Sequence, residues 1–268
     1  MLTTLLLYLV LGAVAGVVAG LFGIGGGLLI VPVLIFSFEL QGMSPDILTH
    51  SAVATSLATI VVTSISSMHA HHKRGAVRWD LFKPLTLGIM FGAFVGATVA
   101  SYLSGTSLQL IFGIFVLAVA AQMALSLKPS AGEKDASSAG LSGAGSIIGG
   151  LSAIFGIGGG TLTVPYLSWR RISMQQAVAT SAACGLPIAV VGALTNVWRG
   201  WDLTTFTDLS LGYIYLPALF GIVITSTLFA KLGAKLAHSL DGVKLKKIFA
   251  VFLLLVGARL LLTNLLGG

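Results

Sequence analysis

Residues 22–27 read Phe-Gly-Ile-Gly-Gly-Gly, and the same six residues recur unchanged at 155–160. Both glycine runs interrupt stretches that are otherwise apolar enough to lie in a lipid bilayer. Flexible backbone at membrane depth is tolerated only where it is packed inside protein or lines a cavity. The repeated run therefore indicates a duplicated membrane protein, and it predicts that the glycine segments lie where the protein works.

The composition is that of an integral membrane protein. Of the 268 residues, 56% are hydrophobic and 9% are charged, whereas a soluble domain has about 25% charged residues. Eight apolar stretches follow one another, and most have the roughly 20 residues that a helix needs to cross a bilayer. We therefore predict an all-α integral membrane protein. The net charge of +7 is explained by basic loops and indicates no nucleic-acid partner.

The internal repeat covers nearly the whole chain. The pentapeptide Ala-Val-Ala-Thr-Ser at 52–56 recurs at 177–181, in the same order relative to the glycine runs. A polar stretch rich in serine and charged residues separates the two halves, as is typical of a linker. We divide the chain into a first membrane repeat at 1–127, a cytoplasmic linker at 128–140 and a second membrane repeat at 141–268.

The distribution of basic residues predicts that the two repeats are inverted. If all eight stretches crossed the membrane once, seven Lys and Arg residues would lie on each side, against the positive-inside rule. If each glycine run is instead the turn of a hairpin, thirteen of the fifteen fall on one side. Each repeat then holds a hairpin of two arms plus three transmembrane helices, and both termini lie outside the cytoplasm. Inverted repeats with interrupted helices are typical of secondary transporters.

The two glycine turns are the predicted substrate site. After each run the chain re-enters a helix, so unpaired backbone N–H groups at the positive end of a helix dipole favour an anion. The alternative is that these glycines serve only close packing, as we expect of Gly88, Gly92 and Gly96 at their small-xxx-small spacing. The predicted anion-binding residues are Gly25, Gly26, Gly27 and Leu28 in the first half and Gly158, Gly159, Gly160 and Thr161 in the second.

Hydroxyl groups in the second repeated motif are further candidates. Thr55 and Ser56, with Thr180 and Ser181, lie in otherwise apolar helices, where they could donate hydrogen bonds to the oxygens of a ligand. The alternative is that they bond to carbonyl groups of their own helices.

Three further residues are weaker candidates for substrate contact. His50 and Gln175 occupy the same place in the two repeats, near a helix start, where they could contact substrate or serve packing. Arg259 lies well inside the last apolar stretch, where an ionisable residue is a functional candidate, although its side chain could also extend to the membrane surface.

Few residues suit metal binding or catalysis. His69, His71 and His72 lie in a basic loop without nearby cysteine or carboxylate, so no metal site is predicted. Acids, bases and nucleophiles are scarce in the apolar stretches, so we expect no enzyme, and no motif indicates a cofactor. No Asp or Glu lies well inside an apolar stretch, which leaves a carboxylate proton relay unsupported.

The paired Gly-Ile-Gly-Gly-Gly runs, each followed by Val-Pro and then by Ala-Val-Ala-Thr-Ser, resemble the TauE/SafE family of sulfite and organosulfonate exporters. The resemblance covers essentially the full chain. It implies a bacterial-type inner-membrane permease for small sulfur-containing anions such as sulfite, sulfoacetate or related organosulfonates. Through the matching motifs, it also implies that the glycine runs and the hydroxyl residues at 55–56 and 180–181 line one central site.

We therefore expect a multi-pass transporter of the inner membrane that exports its anion by alternating access. An anion channel of the same architecture is the alternative, and a membrane enzyme is the less supported one. The expected partners are the small anionic substrate and the lipid bilayer, and glycine-rich helix faces would permit a homodimer. An anion that leaves a negative-inside cell gains about 2.3 kcal/mol per charge per 100 mV, so potential-driven export needs no extra machinery.

Overall fold

The computed structural model describes residues 2–22, 26–125, 137–202, 209–237 and 242–266. Gly25 and most of the predicted linker lie outside these ranges. The described residues form ten α-helices, five in each half, and one two-stranded hairpin. The elements are α1 (Leu2–Phe22), α2 (Gly27–Leu40), α3 (Pro45–Lys73), α4 (Trp79–Tyr102), α5 (Gly105–Ala124), α6 (Ser138–Phe155), α7 (Gly160–Trp169), α8 (Met174–Arg199), β1 (Ser210–Leu211), β2 (Ile214–Tyr215), α9 (Leu216–Ala237) and α10 (Gly242–Leu266).

The helices carry the length and hydrophobicity of membrane spans. Within the described ranges, six are long and apolar enough to cross a bilayer, namely α3, α4, α5, α6, α8 and the part Lys247–Asn264 of α10. On α4, Leu87 and Phe91 are 70% and 66% exposed, which suits a surface that faces lipid. The predicted all-α integral membrane fold is confirmed.

In the first half, α1 and α2 form a hairpin. Gln41, just after α2, donates a 2.6 Å hydrogen bond from its Nε2 to the hydroxyl of Tyr8 near the start of α1. The rings of Tyr8 and Phe38 also meet edge to face, with centroids 6.4 Å apart. The chain therefore returns to the end of the molecule from which α1 starts, as the prediction of a glycine turn requires.

In the second half, a glycine cap separates α6 from α7. Gly156 ends α6 in the left-handed conformation, with φ of 64° and ψ of 31°. The N–H of Ile157 then bonds back to the Ser152 carbonyl at 3.0 Å, which closes the helix end. With 10 residues, α7 is about 15 Å long and cannot span a bilayer.

The start of α6 differs from the predicted boundary of the linker. The Ser137 hydroxyl accepts a 3.1 Å hydrogen bond from the N–H of Gly140 and caps the helix, which begins at Ser138. The last residues of the predicted linker, 138–140, are therefore helical.

Two helix pairs pack through glycine faces, and they join different halves. On α4, a Cβ at Gly92 would lie 2.8 Å from the Cα of Ser146 on α6, and Gly88 and Gly96 meet the same helix. On α1, a Cβ at Gly16 would lie 2.6 Å from the Cα of Ser226 on α9. The expected close packing at Gly88, Gly92 and Gly96 is therefore present, and α1 with α9 repeats the arrangement of α6 with α4.

The helices that correspond under the repeat pack against each other in opposite directions. Leu57 on α3 meets Gly192 on α8, and Ser64, further along α3, meets Gly185, further back along α8. On α5 and α10, the side chain of Asn264 donates a 3.0 Å hydrogen bond to Gln109, while Gly113 contacts residues one turn earlier on α10. Thus α3 runs antiparallel to α8, and α5 antiparallel to α10.

Exposed aromatic residues mark the two ends of the helix bundle. Tyr102, Trp198 and Trp201 are 73%, 61% and 65% exposed at the end where α4 and α8 finish. Trp79 and Trp169 are partly exposed at the opposite end. Aromatic side chains at both ends are typical of the two membrane–water interfaces.

The glycine packing predicts different outcomes for two Gly-to-Ala changes. Gly92→Ala should lower the free energy of unfolding by about 1–3 kcal/mol, because its Cβ has no room between α4 and α6. Gly143→Ala is the matched control, since nothing lies within 4 Å of its Cβ position and alanine favours helix. Thermal unfolding in detergent measures both. Equal stability of the two variants would contradict the packing.

Candidate functional site

The glycine turns of the two halves touch each other. A Cβ atom at Gly27 would lie 2.8 Å from the carbonyl oxygen of Gly156 and 2.8 Å from the Cα of Ile157, so the backbones approach closely. Gly26 precedes α2 with a φ of 72°, which glycine adopts readily. The start of α2 thus meets the end of α6, just before the turn that leads into α7, while Gly25 lies outside the described residues.

The start of α7 exposes a row of free backbone donors. The carbonyl of Gly159 accepts the N–H groups of Leu162 at 3.2 Å and Thr163 at 2.7 Å, which begins the helix. Among the described residues, no acceptor receives a hydrogen bond from the backbone N–H groups of Gly158 through Thr161. The N-cap residue is Gly159, which has no side chain to satisfy them. These groups lie at the positive end of the α7 dipole.

Hydroxyl groups without partners surround the same helix start. Thr163 and Ser181 are 0% and 2% exposed. Their hydroxyls and that of Thr161 are buried and have no hydrogen-bond partner within the described ranges. A Cβ at Gly159 would lie 2.9 Å from the Thr163 Oγ1 and 3.7 Å from the Ser181 carbonyl oxygen, so these residues border the turn. Buried polar groups are nearly always paired, so three unpaired hydroxyls beside free N–H groups indicate a ligand site.

The opposite wall of this site comes from α3 and α8. A Cβ at Gly185 on α8 would lie 3.9 Å from the amide nitrogen of Gly159 and 2.9 Å from the Ser64 hydroxyl on α3. The absence of a side chain at Gly185 therefore keeps the approach to the Gly159 amide open. Ile188 also lies near the Cβ position of Gly159, so the three described residues nearest to that position, Thr163, Ser181 and Ile188, are all uncharged.

The matching region of the first half has different side chains. Leu28 and Ile30, both buried, stand where the second half has Thr161 and Thr163. Ser56, the counterpart of Ser181, donates a 2.7 Å hydrogen bond to the carbonyl of Gly156 and is therefore already paired. The backbone N–H groups of Gly27 and Leu28 also have no acceptor among the described residues, so the two helix starts differ in their side chains, which are apolar at α2 and carry unpaired hydroxyls at α7.

The repeated threonines brace one half against the other. Thr55 Oγ1 accepts a 3.0 Å hydrogen bond from the backbone N–H of Tyr215, just before α9. Thr180 Oγ1 accepts one of the same length from the N–H of Arg78, just before α4. The two threonines correspond under the repeat, and in each case the donor is the residue just before α4 or α9. Each threonine hydroxyl therefore binds the residue just before a helix of the other half.

The three weaker candidates lie in separate places. His50 is 4% exposed, with both ring nitrogens near carbonyl oxygens, whereas Gln175 is exposed. Arg259 is half-exposed and pairs with Glu39 at 3.0 Å, and its guanidinium lies over the ring of Phe36. Arg259 lines a cavity of about 220 Å³ between α1, α2, α5 and α10, to which α7 contributes no residue. Arg259 is therefore not brought together with the start of α7.

Sequence reasoning did not single out Thr163, Ser64 or Gly185. The repeat contains a signal for Thr163, because the second half has this threonine at the position where the first half has Ile30. Ser64 and Gly185 reach the site through the crossing of α3 and α8, which no local pattern reveals.

Comparison with known proteins agrees with this fold. The family model described as "Sulfite exporter TauE/SafE" matches residues 8–260. The chain belongs to the TauE/SafE family. TauE/SafE proteins are membrane transporters, so the expectation that this chain is not an enzyme agrees with its family.

Curated relatives carry the same kind of name. A "Probable membrane transporter protein" of Haemophilus influenzae is 39% identical over 98% of this chain and 100% of its own length. Another of Methanocaldococcus jannaschii is 31% identical over 96% of this chain and 95% of its own length. YunE of Bacillus subtilis, also named a probable membrane transporter protein, is 28% identical over 94% of this chain. No solved structure matches the chain.

The two repeated serines should differ in their effect on stability. Ser56→Ala removes the hydrogen bond to the Gly156 carbonyl and should cost about 1–3 kcal/mol of unfolding free energy. Ser181→Ala removes a hydroxyl without a partner in the described structure and should change it by less than about 0.5 kcal/mol. Unfolding in detergent micelles measures both. A larger loss in Ser181→Ala than in Ser56→Ala would contradict the assignment.

Proposed function

We propose that this transporter carries small sulfur-containing anions, such as sulfite, sulfoacetate or related organosulfonates, and exports them across the inner membrane. The observation that carries the proposal is the start of α7, where free N–H groups and three unpaired hydroxyls surround Gly159. A helix N-terminus with free donors binds oxyanions well. The family description as sulfite exporters supports a sulfur oxyanion as the substrate.

The chemistry of the donors favours an anion of single charge. The helix dipole supplies roughly half a positive charge at the start of α7, and the three described atoms nearest the Gly159 Cβ position belong to the uncharged residues Thr163, Ile188 and Ser181. Neutral donors can stabilise a hydrogen sulfite or sulfonate group, whose oxygens accept several hydrogen bonds. A second charge on the same group would remain largely uncompensated there, so the carboxylate of sulfoacetate would have to lie outside the turn, because burying an unpaired charge is costly.

Export by alternating access is supported by the arrangement of the two halves. The corresponding helices α3 and α8 run antiparallel, as do α5 and α10, which is the relation expected of inverted repeats. The glycine turns lie at the junction of the halves, where a rocking movement would expose the site to either side. The balance of basic residues favours termini outside the cytoplasm, and the membrane potential then favours anion exit.

Flux measurements test this proposal. We expect proteoliposomes with the purified protein to take up radiolabelled sulfite or at least one of a panel of sulfonates, with saturable kinetics and a dependence on an imposed potential. Saturation separates a carrier from an anion channel of the same architecture, which would show non-saturating flux. No flux of any sulfur anion by folded protein would overturn the proposal.

Removal of one hydroxyl should weaken substrate binding. Thr163→Val keeps the shape of the side chain but removes a hydrogen bond to the anion, so KM should rise at least about tenfold, equivalent to about 1.4 kcal/mol. Thr195→Val is the matched control, because that hydroxyl bonds to the carbonyl of Val191 in its own helix. Similar KM values for both variants would contradict a role for Thr163.

The proposed topology predicts the accessibility of two loops. A cysteine in place of Ser44, in the loop between α2 and α3, should react with a membrane-impermeant thiol reagent from outside the cell. A cysteine in place of Arg74, in the loop after α3, should react only from the cytoplasm. Both positions are exposed, and the native Cys184 is fully buried, so background labelling is low. The reverse labelling pattern would reject the topology.

A further inference from the structure

His50 lies between two backbone carbonyl groups. Its Nδ1 is 3.0 Å from the carbonyl oxygen of Asp46, one turn earlier on α3. Its Nε2 is 3.1 Å from the carbonyl oxygen of Ala100, near the end of α4. The side chain is 4% exposed, so water cannot easily replace either contact.

The partners of the ring determine its proton count. The Ala100 carbonyl also accepts the backbone N–H of Leu103 at 3.1 Å, so it is paired without the ring. A carbonyl oxygen only accepts hydrogen bonds, however, and a neutral imidazole carries a single N–H, so its second ring nitrogen would face a carbonyl oxygen with no proton between them. The imidazolium form carries two N–H groups and donates to both carbonyls. We propose that His50 is a proton-binding site and that its proton is the coupling ion of the transport cycle. This inference rests on the transport function proposed above.

The surroundings of His50 hold the proton without a buried counter-charge. The ring of Tyr213 stacks on the imidazole, with centroids 5.1 Å apart and planes at 22°. Burial raises the pKa of the Tyr213 hydroxyl, so that ring is neutral at physiological pH. Among the described residues, the titratable or charged side chains that contacts place at this end of α3 and α4 are Asp46, Tyr102, Arg199 and Tyr213.

The nearest charges in this group act in opposite directions. The Asp46 carboxylate is exposed on α3 and favours a cation, whereas the Arg199 guanidinium, on α8, disfavours one. Arg199 is bound next to this site, since its Nε donates to the Ser101 hydroxyl at 2.8 Å and its guanidinium lies 4.4 Å from the Tyr102 ring centre, so its charge opposes the imidazolium. The two carbonyls and the aromatic face therefore carry most of the stabilisation.

This arrangement links the proton to the position of α4. Ala100 belongs to α4, which packs on α6, whereas His50 belongs to α3, which packs on α8 at Gly185, one turn after Ser181. A movement that separates α4 from α3 withdraws the Ala100 carbonyl. The imidazolium then releases one proton from Nε2 to water and keeps its Nδ1–H bond to Asp46. The return movement reverses the step.

Among the described residues, one such site is present in the chain. Gln175 holds the matching place in the second half, is exposed, and cannot take up a proton at physiological pH. We therefore expect one proton per transport cycle.

Nuclear magnetic resonance tests the protonation directly. Protein labelled with ¹⁵N in its histidines should show, at pH 7, ring-nitrogen signals of an imidazolium that are absent from His50→Gln. The difference spectrum isolates His50 from the other histidines. A neutral His50 ring in the folded protein would overturn the proposal, whatever the transport activity.

Proton flux tests the coupling. The substrate is the best-transported sulfonate of the panel, because a permanent anion does not itself carry protons. A pH gradient should change its initial rate at zero potential by at least about fivefold in the wild type. The wild-type measurement alone decides the coupling if His50→Gln does not fold.

The variants then locate the site. Folded His50→Gln should show sulfonate flux that ignores the pH gradient, and Gln175→His should behave as the wild type does. Sulfonate flux without any response to the gradient in the wild type would overturn the proton site but leave the proposed function intact. No flux of sulfite or any sulfonate would overturn the proposed function itself.

Discussion

The fold depends on one backbone-to-backbone contact, where the glycine turn before α2 meets the glycine turn before α7. Gly27 has no room for a Cβ against Gly156, and the carbonyl of Gly156 is further held by the hydroxyl of Ser56. Because these residues come from different halves, the contact keeps α2 and α3 against the end of α6. The same contact brings the start of α7 into the protein interior, away from lipid, where free N–H groups can be tolerated.

The two halves share the same helix arrangement but differ in the side chains at the starts of α2 and α7. The hydrogen bonds from Tyr215 to Thr55 and from Arg78 to Thr180 hold similar places in the two halves, and so do the glycine faces of the two helix pairs. The helix starts differ, since hydroxyl side chains border α7 and aliphatic ones border α2. Among the described residues, the unpaired hydroxyls therefore lie at one of the two helix starts, and the transport function is proposed for that site alone.

The sequence predicts the membrane class, the helix number of each half and the glycine turns, because composition, charge placement and repetition act over long stretches. It does not reveal which hydroxyl groups are already paired. The partner of Thr55 is the backbone N–H of Tyr215, far along the chain, and only the folded helices show that Ser181 has no partner among the described residues. The β1–β2 hairpin has strands of two residues, too short for any periodicity. The role of His50 likewise depends on a carbonyl of α4.

The most direct measurement is the position of a bound anion. Selenite has the shape and charge of sulfite, and its selenium is located by anomalous scattering in a crystal. We expect one selenium peak within hydrogen-bonding reach of the backbone N–H groups of Gly159 to Thr161 and of the hydroxyls of Thr163 and Ser181. A peak at Arg259 instead, or one at the start of α2 with none at α7, would contradict the assignment of the site.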